Sequence, residues 1–83
     1  MRVLIQKEGE MFVGQCLEHD ICAQGCSVDE LMSRLVLTVD LECSERNGSL
    51  ADIDPAPEEF HKMWDNARRL ADEQCGYEVA LAA

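Results

Sequence analysis

Ser27 stands three residues before Glu30, and this pair constrains the chain more than any other feature of its sequence. A serine at a helix N-cap and a glutamate three positions on can each satisfy a backbone N–H that the first helical turn leaves without a partner. Asp29 and Glu30 also suit the positive end of the helix dipole. Downstream, Asn47-Gly48 is a stop signal, so the spacing predicts a helix from Val28 to about Arg46. On it Val28, Leu31, Met32, Leu35, Val36, Val39 and Cys43 form one apolar stripe, which needs a sheet to cover. Leu37 and Leu41 fall on the far side, between Glu30 and Arg34, and give the helix a second apolar face.

The residues ahead of the helix supply the sheet. Residues 2–7, Arg-Val-Leu-Ile-Gln-Lys, are β-branched or apolar enough for a strand, Glu8-Gly9-Glu10 offers a tight turn, and a second strand follows from Met11 to about Cys16. Leu17-Glu18-His19-Asp20 breaks that pattern, and Ile21 to Gly25 reads as a third strand. Beyond a loop at 47–57, Pro57 opens a second helix to about Gln74, with Phe60, Met63, Trp64, Ala67, Leu70 and Ala71 as its apolar set. Gly76 ends it, and residues 77–82 alternate as a last short strand. The predicted fold is α+β in the order β-β-β-α-α-β: an antiparallel three- to four-stranded sheet covered on one face by helix 28–46, with an amphipathic helix at about 57–74 and a C-terminal strand. At 83 residues this is a single domain, 1–83, with a thin core.

Charge narrows the partners. Seven Lys and Arg against 17 Asp and Glu give a net charge of -10, and residues 1–57 and 58–83 are both negative. Such a surface repels phosphate backbones and anionic lipid and attracts a basic protein, so independent nucleic-acid binding is not expected. No stretch reaches the roughly 20 apolar residues of a membrane span. Arg2-Val3-Leu4-Ile5 runs straight into Gln6-Lys7-Glu8 without the apolar core of a signal peptide. Five cysteines, an odd number, favour free thiols, and a cytoplasmic location is expected.

The segment from Val13 to Leu31 contains Gln15-Cys16, Leu17-Glu18-His19-Asp20-Ile21, Ala23-Gln24-Gly25, and the cap Ser27 followed by Asp29-Glu30. In this it resembles HicB-like proteins, over about residues 2–46. The resemblance implies a partial RNase H-like fold and an antitoxin role: binding and blocking a small basic HicA-type RNA-cleaving toxin by steric occlusion, without catalysis. The acidic turn Glu18, His19 and Asp20 is the predicted partner contact. Full antitoxins of this kind carry a C-terminal DNA-binding segment. Here residues 47–83 supply a helix with Lys62, Arg68 and Arg69 as bases and then a strand, which implies a stand-alone domain. A second reading is a stand-alone oligomeric domain that holds a small ligand, outside any toxin–antitoxin pair.

Three groups of side chains carry possible chemistry. Cys16, His19, Cys22 and Cys26 carry zinc-ligand chemistry, but no pair has the usual two-residue Cys spacing, and two lie in predicted strands. A nucleophilic Cys22 or Cys26 would need His19 or His61 as a base, and nothing in the spacing gathers them. Asp29, Glu30, Asp40 and Glu42 fall where helix-surface acids normally fall, rather than as a converging metal site. No cofactor, metal or catalytic residue is therefore predicted. Leu37, Leu41, Phe60 and Trp64 together exceed what a monomer this small should expose, which predicts a homo-oligomer, most simply a two-fold dimer. The competing reading of Phe60, Met63 and Trp64 is that their helix packs on the sheet or on Leu37 and Leu41.

Overall fold

A computed structural model describes residues 1–70 and 76–82. Its first strands, β1 (Arg2–Glu8) and β2 (Met11–Cys16), form an antiparallel hairpin closed by the Glu8 and Met11 pair. Gly9 takes φ 62° while Glu10 does not enter the positive region, the sign pattern of a II′ turn, whose twist matches the strands it joins. β3 (Cys22–Gly25) pairs antiparallel with β2. The helix α1 (Val28–Glu45) follows, then α2 (Glu58–Asp65), a two-residue strand β4 (Arg68–Arg69), and β5 (Glu78–Leu81).

The α+β class and the predicted order stand, with more sheet than the sequence suggested: five strands ordered β3-β2-β1-β5-β4. The sheet is mixed, because β5 runs parallel to β1 in the register Val3 with Val79 and Leu4 with Ala80. β1 is thus central, and Val3, Leu4 and Ile5 are all fully buried. Their alternation divides two cores. Val3 and Ile5 face α1 with Cys16, Leu31, Leu35 and Val79, whereas Leu4 faces α2 with Leu17, Ala56, Trp64 and Ala80. A chain this short buries both sides of one strand by placing a helix on each face of the sheet.

α1 begins at Ser27, whose Oγ accepts from the Glu30 N–H at 3.1 Å. The Glu30 carboxylate reaches back to the Cys26 N–H at 3.2 Å, one residue ahead of the cap. It ends as predicted at Asn47-Gly48, where φ is 60° and 84° and the Gly48 N–H donates to the Cys43 carbonyl at 2.7 Å. Gly25 lets this helix start close to the sheet. A Cβ there would lie 2.7 Å from the Leu31 backbone nitrogen.

The second helix is shorter than the predicted 57–74. It stops at Asp65, and Arg68 and Arg69 instead pair with Leu81 and Ala80 of β5. The Leu70 N–H donates to the Val79 carbonyl at 2.9 Å. A helical stripe would place Ala67 and Leu70 on one face. In the structure Ala67 joins the α2-side core and Leu70 the α1-side core, the alternation of a strand. Pairing with β5 overrides helical periodicity here. Residues 71–74 of the predicted helix, with Ala71, lie outside the described residues, as does Cys75.

Candidate partner-binding surface

The turn that follows β2 is built around one buried amide. Gln15, 8% exposed, donates from Nε2 to the Cys16 carbonyl and to Asp20 Oδ1, both at 3.0 Å, and lies 3.5 Å from the Ile21 carbonyl. These bonds fold residues 16–21 back on themselves, together with the Cys16 N–H to Ile21 carbonyl bond at 2.9 Å. The sequence marks Gln15 as part of the HicB-like motif but assigns it no role in the turn. Its signal was there in principle, as a polar residue in an otherwise apolar strand next to a turn rich in acceptors.

Each predicted contact residue of that turn has a structural partner. Glu18 receives the Arg2 backbone N–H at 2.8 Å and the Arg2 Nε at 2.6 Å. Burial alone would raise its pKa, but the hydrogen bonds from the Arg2 backbone and side chain, helped by the guanidinium charge, hold the carboxyl below its usual value. His19 Nδ1 lies 2.9 Å from the Ile53 carbonyl, which can only accept, so Nδ1 carries the proton. The Asp20 N–H donates to the Asp54 carbonyl at 2.7 Å, and the Ala56 N–H to the Leu17 carbonyl at 3.0 Å. The turn is therefore clamped to β1 on one side and to the 53–56 loop on the other. Its outward feature is Asp20, which is exposed.

The cysteines of the zinc-type and nucleophile readings differ in their surroundings. Cys16 is fully buried, and its thiol is pushed up to about 12, chiefly by burial and then by the nearby Glu18 and Cys22. A thiol of that kind stays protonated and unreactive. Cys22 and Cys26 are exposed, with Cys26 Sγ 3.6 Å from Met11 Sδ. Among the described residues no three His, Cys, Asp or Glu side chains are placed to hold a metal ion. Of the helix acids, Glu30 pairs with Arg34 at 3.3 Å and Glu42 with Arg46 at 3.2 Å.

The four residues assigned to an oligomer interface separate into two pairs. Trp64, 3% exposed, is a core residue on the α2 side of the sheet, and Phe60 packs beside it. Arg69 lies over the Trp64 ring at 4.3 Å and Arg2 at 5.8 Å, and Arg69 in turn pairs with Glu78. This corrects the interface role predicted for Trp64: α2 packs on the sheet, as the competing reading held, and on the face opposite α1. Leu37 and Leu41 remain outward, 59% and 55% exposed, the large exposed hydrophobic residues among those described.

Among the described residues no helix is long and apolar enough to cross a membrane. Comparison with family models, curated proteins and solved structures yields no match to this chain.

Proposed function

We propose that this chain is a non-catalytic, HicB-like binding module of the antitoxin type, which neutralises a small basic HicA-type RNA-cleaving toxin by covering it. The observation that carries this reading is how the HicB-like segment spends its polar groups. Gln15, Glu18, His19, Ser27 and Glu30 are all engaged in holding the turn and the helix start. What that segment leaves exposed includes the carboxylates of Asp20 and Asp29.

A net charge of -10 supports the choice of a basic partner, because opposite charge accelerates encounter and like charge excludes competitors. We place the protein in the cytoplasm, a reading supported by the free thiols of Cys16, Cys22, Cys26 and Cys43. The test is co-expression with the product of a short basic reading frame beside this gene. The neighbour alone should arrest growth, the pair should restore it and purify together, and association should slow roughly tenfold as salt is raised. A neighbour that is neither toxic nor bound removes the proposal.

A further inference from the structure

We infer that the outward face of α1 is the docking surface for the partner and that its occupant is a basic amphipathic helix. This rests on the protein-binding reading above and goes beyond the turn at Glu18, His19 and Asp20, whose groups are largely committed to the fold.

The face is opposite the core stripe. With Leu31, Leu35 and Val39 buried against the sheet, Leu37 and Leu41 project outward one helical turn apart. Ser33 and Ser44 extend that row, and Asp40 and Glu45 flank it, all four exposed. The two ion pairs of the helix, Glu30 with Arg34 and Glu42 with Arg46, neutralise their own members. The side chains of Asp40 and Glu45 have no ion-pair or hydrogen-bond partner among the described residues. An apolar centre inside a polar, charged rim is the general anatomy of a protein–protein interface.

Charge selects the occupant. A second copy of this chain also carries -10, so a self-pairing would set two strongly negative surfaces against each other. A helix with apolar residues one turn apart and Lys or Arg on either side satisfies both features at once, packing face to face on α1 as two helices do. Another mode is restricted here: Arg34 Nη1 donates to the Gln24 carbonyl at 3.1 Å, occupying an acceptor on the sheet-edge strand β3.

The experiment titrates the full isotope-labelled chain with a synthetic Leu/Lys amphipathic peptide of about five helical turns. A scrambled peptide of the same composition serves as the control. The amides of residues 33–45 should shift, the scrambled peptide should bind at least about tenfold more weakly, and Leu37→Ser with Leu41→Ser should weaken the amphipathic peptide by at least about tenfold. That variant should still unfold in one cooperative urea transition with a midpoint modestly below wild type, since both side chains lie outside the cores and serine is the poorer helix former. Equal binding of the two peptides, or shifts centred on residues 18–20, overturns the inference. So does sedimentation showing a wild-type dimer that the double substitution dissolves. If the basic neighbour binds with unchanged affinity to the double variant, the docking face is wrong and the binding reading stands. If the peptide behaves as described but the neighbour is not bound, the antitoxin reading alone fails.

Discussion

Replacing Gly25 or Gly14 by alanine tests how the helix sits on the sheet, because both new methyl groups meet the same residue, Leu31, in different ways. Neither glycine has positive φ, so alanine fits both backbones and only the contact differs. At Gly25 the Cβ would lie 2.7 Å from the Leu31 nitrogen and 3.1 Å from the Glu30 carbonyl carbon, both backbone atoms of the first helical turn. To relieve this, the helix start must retreat from β3 and strain the Ser27 cap. Overpacking of this kind costs about 1–3 kcal/mol, and a lost cap about 1 kcal/mol more. At Gly14 the nearest atom is Leu31 Cδ1 at 3.0 Å, the end of a side chain that can turn by a few tenths of an ångström. Because Leu31 is fully buried, that shift is not free, and we expect a cost of about 1 kcal/mol. For a domain of this size each kcal/mol moves Tm by about 4–8 °C, so Gly25→Ala should melt more than 8 °C below wild type and Gly14→Ala nearer to it. Urea titration followed by fluorescence of the sole tryptophan, Trp64, measures both, and that side chain sits on the far face from the substitutions. If the two variants are equally stable, or Gly25→Ala is within about 0.5 kcal/mol of wild type, the close approach of helix and sheet is wrong.

The pairing of Glu18 with Arg2 makes stability depend on acid. Its folded pKa lies below the ordinary 4.5, so its contribution is complete above that value and is lost as pH falls through the folded pKa. Urea midpoints measured from neutral to acid pH should fall less steeply in Glu18→Gln than in wild type over that window. Trp64→Ala should destabilise the domain by about 3–5 kcal/mol, read by circular dichroism, because it empties the α2-side core. A thiol reagent should label Cys22 and Cys26 in the folded protein at once, while Cys16 should react only on unfolding, as mass mapping of the labelled peptides would show.

Local chemistry made much of this fold legible in the residues themselves. The Ser27 and Glu30 cap and the Asn47-Gly48 stop bound α1 to within a residue of its observed span, since both act within a few residues of the helix they delimit. Gly9 likewise marked the hairpin, and the angular positions of Leu37 and Leu41 placed them outward. The candidate site was legible in part. The turn at residues 17–20 stood out as a break, but its clamps to Arg2, Ile53 and Asp54 join positions distant in the chain, which periodicity does not report.

The short polar signals of caps and turns belonged to the sequence alone. Tertiary structure decided where the second half of the chain goes: α2 crosses to the other face of the sheet, β5 runs parallel to β1, and the helical pattern over Ala67 and Leu70 gives way to pairing with β5. The physical reason is that an apolar side chain specifies that it must be buried, not against which surface. β1, apolar at Val3, Leu4 and Ile5 in succession, needed cover on both faces, and only the folded chain could say that Trp64 supplies the second.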